Sequence, residues 1–325
     1  MNPVILNGVT PLSRPGQNGT LGVIKADGPD AASFINGQLT QDFLQLGAGE
    51  ARLAALCTAK GRAIASFIGI RPRPDLILLV CSRDILAATL KRLSMYVLRA
   101  KVKLSDASDE FAVHGLAGTA LAANGLDAGA QPGQSVPARI DARAAGSEGS
   151  EPGWAVSLYP ADGVPRALWI AASTAARPLG DELDLALWQW SEVRSGVVTL
   201  TSPVVEAFVP QMINFESVGG VNFKKGCYPG QEVVARSQFR GTLKRRTYLV
   251  QADAPLEAGQ EVFAANDPEQ AVGTVAQAAP APHGGTAALI SIQIAALEAG
   301  GLRAISAEGP VLTVEPLPYA LLEDI

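Results

Sequence analysis

Histidine, cysteine and charge are scarce in this chain of 325 residues. Its two histidines, His114 and His283, lie far apart with no CxxC or HxxxH spacing nearby, so the pattern of a protein-held metal is missing and no metal site is expected. Three cysteines, Cys57, Cys81 and Cys227, cannot all pair and follow no framework spacing, which argues against a disulfide-stapled exported domain and for a reducing, cytoplasmic setting. No window approaches the ~20 apolar residues of a membrane helix, and the first residues lack a basic segment ahead of an apolar stretch, so no membrane is expected. Charged residues make up 18% of the chain, and 26 basic against 31 acidic side chains leave a net charge of −5. That balance excludes a protein whose whole surface grips nucleic acid or an anionic bilayer; any basic site must be local.

Apolar residues, by contrast, reach 48%, enough for a sizeable core, and the length suggests two or three domains at about 100–200 residues each. Gly28-Pro29-Asp30 opens a short helix near 30–36, since proline costs nothing in a first turn. The runs 52–58 and 62–70 flank Ala59-Lys60-Gly61, where glycine supplies a positive φ, and read as a hairpin followed by a strand at 76–80. Ser82 is placed to cap a helix carrying Ile85, Leu86, Thr89, Leu90, Leu93 and Val97 on one face. Gly, Ala, Ser and Pro dominate 123–153, which reads as a long loop. Leu183, Leu187, Trp190 and Val193 then form a helical stripe over 181–194, with Asp181 as cap and Gly196 as stop. Short strand-like runs from Thr247 onward predict a small all-β domain, and the whole order of elements predicts an α+β protein.

Chemistry concentrates between 194 and 246. Cys227 lies on a Gly- and Pro-rich bend beside Lys224 and Lys225, ahead of a helix-like run; cationic neighbours and a helix start both favour a thiolate. The same position also suits a small apolar residue buried in a crowded turn, and spacing alone leans toward that reading. Cys57 and Cys81, set in LAALCT and LILLVCS, read as core. From Lys224 to Arg246 the chain carries Lys224, Lys225, Arg236, Arg240, Lys244, Arg245 and Arg246 against Glu232, a charge of +6 on a body left at −11. Such a run suits a small anion such as a carboxylate-bearing cofactor, or a solvated face; RNA contact is disfavoured. Arg194 offers a bidentate fork for a carboxylate, and Glu206, Gln211 and Asn214 offer donors and acceptors for a heterocycle, though each also suits a cap or an ion pair.

The segment Lys225-Gly226-Cys227-Tyr228-Pro229-Gly230-Gln231-Glu232 resembles the signature of the YgfZ-type folate-binding proteins, relatives of the aminomethyltransferase (T protein) of glycine cleavage. EVRSG and PQMIN upstream, ARSQFRGTLKRR downstream, and weaker agreement in INGQLTQD (35–42), LCTAKGRAIA (56–65) and LRAKV (98–102) extend the resemblance over essentially the whole chain. It implies a T-protein-like α+β fold: two intertwined subdomains over 1–242 and a C-terminal β-barrel over 243–325, around a cavity for tetrahydrofolate or a one-carbon derivative. The family is associated with assembly or repair of iron–sulfur clusters, including those of a tRNA methylthiolation enzyme, so folate and iron–sulfur assembly or client proteins are the implied partners. By the motif Cys227 is the reacting residue, with Lys225, Gly226, Tyr228, Gly230, Gln231 and Glu232 setting loop geometry and electrostatics; Arg194, Glu206, Gln211 and Asn214 are the expected folate contacts. The alternative is a folate-dependent aminomethyl- or methyltransferase. T proteins resemble one another in an Asn-Ala-containing segment with a following aspartate, where this chain reads LLVCSRDIL; Asp84 is the nearest acidic residue, and aminomethyl transfer of that kind is disfavoured.

Overall fold

A computed structural model describes residues 4–16, 19–47, 49–133, 135–138, 153–239, 243–265 and 267–322. The chain divides into two compact units, and each draws on separated stretches of sequence. The first takes residues up to Gln38, Asp42–Leu53 and Phe67–Trp188. The second takes Leu39–Gln41, Ala54–Ser66 and everything from Gln189 onward.

In the first unit β1 (Gly8–Ser13), β7 (Phe111–Ala117), β10 (Val164–Ala172), β9 (Gly153–Ala161) and β8 (Ser135–Ala138) form one antiparallel sheet in the order β1-β7-β10-β9-β8. Both faces are buried. Val113, Leu168, Ile170 and Val156 enter one core with Val23, Leu78 and Val80, while Val9, Leu116, Trp169 and Ala171 enter another beneath α3 (Thr119–Ala123), whose Ala120 and Leu121 close it. Strands buried on both sides need no alternation of polar and apolar residues, and the sequence reading left β1, β7, β9 and β10 unassigned for that reason.

A second sheet runs β3-β4-β5-β2-β6, from β3 (Ala51–Cys57), β4 (Ala63–Arg73), β5 (Leu76–Ser82), β2 (Leu21–Asp27) and β6 (Lys103–Asp106). The expected hairpin and third strand are present, and Gly61 has φ +71° at the turn. Helix α1 (Ala31–Asn36) lies where Pro29 predicts it. Helix α2 (Arg83–Ser94) buries Ile85, Leu86, Thr89 and Leu93 and lies close to Gly22, where a Cβ would come within 2.5 Å of a Leu86 methyl. Ser82 holds the N-cap position without capping: its hydroxyl donates to the Asp84 carboxylate at 2.7 Å instead. Val97 falls beyond the helix.

The helix expected over 181–194 is shorter, α4 (Leu185–Arg194). Asp181 does not cap it. Its carbonyl accepts the Val9 N–H and the Leu183 N–H donates to the Val9 carbonyl, so 181–183 is drawn out along β1 and Asp184 accepts the Ala186 N–H at 2.8 Å as the helix starts. Gly196, at φ +73°, ends it as expected. The loop expected over 123–153 contains β8, and its residues 134 and 139–152 lie outside the described residues.

In the second unit β11 (Arg245–Ala252), β12 (Glu261–Phe263), β13 (Gly273–Pro280), β14 (Thr286–Gln293), β15 (Arg303–Ala304) and β16 (Thr313–Glu315) make a six-stranded antiparallel half-barrel, ordered β15-β12-β13-β14-β11-β16. Val250, Val262, Val275, Ile290 and Ile292 fill its core. Two single turns of 3-10 helix, Ser202–Val204 and Pro210–Ile213, helix α5 (Gln231–Phe239) and helix α6 (Ile294–Ala299) complete the unit.

Candidate functional site

The three thiols divide by environment. Cys57 and Cys81 are 1% exposed on β3 and β5, and burial pushes both thiols up to about 12, so they stay protonated and inert. Cys227 is exposed. Helix α5 begins at Gln231, so Cys227 stands on the loop ahead of the helix rather than in its first turn.

That loop is held on both sides of the thiol. Upstream, Asn222 accepts the N–H groups of Lys224 and Lys225 at 2.8 and 3.1 Å, and its own N–H donates to the Thr40 carbonyl at 2.9 Å. The Thr40 hydroxyl donates to the Gly220 carbonyl at 2.6 Å and accepts the Ala55 N–H at 2.8 Å. Lys225 is buried: its ammonium donates to the Leu39 carbonyl at 2.8 Å and stands 4.8 Å from the Tyr228 ring centroid, so its charge is met by a carbonyl and an aromatic face. Downstream, burial, with a smaller contribution from Cys57, pushes the Tyr228 phenol well above its ordinary value and keeps it protonated.

Gly230 is the tightest point. It has φ +83°, and a Cβ there would stand 2.4 Å from the Thr58 carbonyl oxygen and 2.8 Å from the Gly61 Cα. The Thr58–Arg62 turn thus meets the cysteine loop glycine to glycine. Arg62 fastens that turn further, donating to the Ala207 carbonyl at 2.6 Å. Gly226, in contrast, has open space around its Cα, and nothing in the structure requires glycine there. Gln231 opens α5 with its N–H donating to the Tyr228 carbonyl, and Glu232 is an exposed partner of Arg236 one turn on.

The other expected site residues are dispersed. Arg194 pairs with Glu315 and stands 5.8 Å from the Trp190 ring centroid. Glu206 is exposed at φ +62°. Gln211 is fully buried: its amide donates to the Val234 carbonyl at 2.7 Å, while its carbonyl oxygen has no donor among the described residues. Asn214, at φ +57°, spends both ends of its amide on the Thr247 backbone, donating at 2.8 Å and accepting at 3.2 Å. Asp84 is exposed and holds Ser82. Arg194 and Gln211 suit a folate in kind: a guanidinium on an aromatic face that already holds one carboxylate, and a buried acceptor awaiting an N–H.

The cationic run is not one face. Lys225 is buried, Arg246 is buried against Glu216 at 2.6 Å, Arg245 donates to the Val272 carbonyl, and Arg236 is paired. Arg240 lies outside the described residues. A charge count cannot separate neutralised cations from free ones. Nor did the sequence reading assign Leu39, Thr40, Thr58 and Gly61 to the site, although the segments 35–42 and 56–65 that carry them stood out; the glycine in AKGR was the one local signal.

The "tRNA-modifying protein YgfZ" of Edwardsiella ictaluri is 33% identical over 310 residues, covering 91% of this chain and 89% of that protein. Its namesake from Cronobacter sakazakii is 28% identical, covering 91% and 90%. Among solved structures, the glycine cleavage system aminomethyltransferase T from Bartonella henselae superposes with a TM-score of 0.62 at 16% identity, over 97% of this chain and 86% of that one. No family model matches. Sequence likeness along nine-tenths of the chain, the cysteine loop and the aminomethyltransferase fold agree: the chain belongs to the YgfZ family.

Proposed function

We propose that this protein binds tetrahydrofolate or a one-carbon derivative and assists iron–sulfur cluster assembly or repair for tRNA-modifying enzymes, with Cys227 as its reacting group. The exposed thiol of Cys227 on a loop fixed by Lys225, Tyr228 and Gly230 carries this reading, because both other thiols are buried and protonated. A lone thiol cannot hold a cluster that takes four cysteine ligands or close substitutes, so any cluster is shared with a partner or passes through. The relatives' name supports the link to tRNA, and the shared fold with an aminomethyltransferase supports folate as the ligand. Arg194 is the candidate receptor for the folate carboxylate and Gln211 for a pterin N–H.

The test has two arms. Anaerobic calorimetric titration with tetrahydrofolate gives one-site binding that Arg194→Ala weakens. In a strain lacking its own copy, Cys227→Ser folds and binds folate but fails to restore methylthiolated tRNA nucleosides; full restoration by that variant sinks the thiol role.

A further inference from the structure

Besides Lys224 and Lys244, a denser group of mostly exposed cations without side-chain partners among the described residues lies at the end of α2 and along the approach to β6. Residues 91–105 carry Lys91, Arg92, Arg99, Lys101 and Lys103 and no carboxylate, a charge of +5 in a chain whose net charge is −5. None of the five makes a side-chain hydrogen bond or ion pair among the described residues. Arg99, Lys101 and Lys103 are exposed and alternate with the half-buried Ala100, Val102 and Leu104 along a bent approach that becomes the edge strand β6 at Lys103, so three cations within five residues face solvent. At the head of the run Tyr96 is 44% exposed, with Met95 and Leu98 exposed beside it.

Nearby carboxylates are occupied or apart. Asp30 accepts the Lys101 backbone N–H at 2.7 Å, and Asp106 holds Arg83 and Ser108. Asp27 faces Lys103 across the β2–β6 ladder without an ion pair to it.

We infer that this run is a docking surface for single-stranded RNA, with Arg99, Lys101 and Lys103 following the phosphates and a base stacking on Tyr96. A cationic track with an exposed aromatic at one end is how unpaired strands are held irrespective of sequence: phosphate contacts supply affinity and every base has a face to stack. Cations spaced along a loop and an edge strand suit a flexible polyanion strand better than a bilayer, which calls for cations along the polar side of an amphipathic helix. The inference goes beyond the folate reading and shares no residue with it.

The test is fluorescence anisotropy on the full chain with a labelled single-stranded RNA of about 12 nucleotides, a duplex of equal length, and vesicles of phosphatidylcholine and phosphatidylserine. Single-stranded RNA is expected to bind tighter than duplex, with log affinity falling against log salt at a slope of about −2 to −3.5 for three to five phosphates. Reversing Arg99, Lys101 and Lys103 to glutamate is expected to cost at least ~10-fold and Tyr96→Ala about 10-fold, while Tyr96→Phe keeps affinity. All these side chains are exposed, so unchanged melting temperatures certify the variants. No binding at low salt, binding indifferent to charge reversal, or preference for the vesicles overturns the inference and leaves lysines that only keep an edge strand from pairing. Tetrahydrofolate titration of the unaltered chain separates the two readings: folate bound without RNA bound overturns this surface alone, and RNA bound without folate overturns the folate reading alone.

Discussion

Gly230 and Gly61 meet where no side chain fits, and that contact sets what the cysteine loop tolerates. Gly230→Ala adds a methyl 2.4 Å from a carbonyl oxygen at φ +83° and is expected to cost at least ~2 kcal/mol in urea unfolding. Gly226→Ala, in open space, should stay within ~0.5 kcal/mol; equal effects would show that the loop shifts freely. A second residue-scale test concerns Arg246 and Glu216, whose side chains are 6% and 0% exposed. Arg246→Met strands a buried carboxylate and should cost about 3–5 kcal/mol, most of it recovered when Glu216→Leu is added. His114 gives the third. Burial, helped by the Arg14 and Arg177 charges, lowers its pKa from 6.5 to about 4, and neither ring nitrogen has a partner among the described residues. The unfolded chain takes up a proton below pH 6.5 that the folded chain refuses until about pH 4. Stability from this group is therefore intact above pH 6.5 and lost as pH falls toward 4, by roughly 1–3 kcal/mol. His114→Leu should flatten the stability curve in that window relative to the unaltered protein.

Among elements, the 3-10 turn Pro210–Ile213 and the residue after it fasten β11 to the rest of the second unit. Asn214→Ala deletes both bonds to Thr247 and leaves its backbone groups buried without partners; a loss of about 2–4 kcal/mol is expected from thermal or denaturant melts. Elements whose cause is local were readable in the sequence: Gly61 marks the hairpin, Pro29 the start of α1, Gly196 the end of α4. Those shaped by distant chain were not. Residues 181–183 continue a helical pattern, yet pairing with Val9 draws them out. The site followed the same division. The motif around Cys227 is continuous and was read directly, whereas Leu39 and Thr40, which hold it, bond to residues 186 and 180 positions away. Spacing along the chain carries no trace of such partners.

At the scale of the molecule, β3 and β4 each begin in one unit and end in the other, so neither unit corresponds to a continuous stretch of gene. Among the described residues, the core cluster of the half-barrel is built from residues 248–312. A fragment starting at residue 189 is therefore expected to keep that sheet while losing the cysteine loop, which needs 39–41 and 54–66. Limited proteolysis should cut the fragment between about 215 and 235 and spare the same bonds in the full chain; equal resistance would show that the loop stands unaided.

The same interleaving sets a timetable for synthesis. Residues 54–66 leave the ribosome well over a hundred positions ahead of the segment that covers them, at about 5–20 residues per second. For many seconds the apolar Ala54, Ala55, Leu56, Ala63 and Ala65, all buried in the finished protein, wait without partners. The nascent chain is thus a client for holding chaperones, and its soluble yield should fall with chaperone supply more steeply than its final stability would indicate.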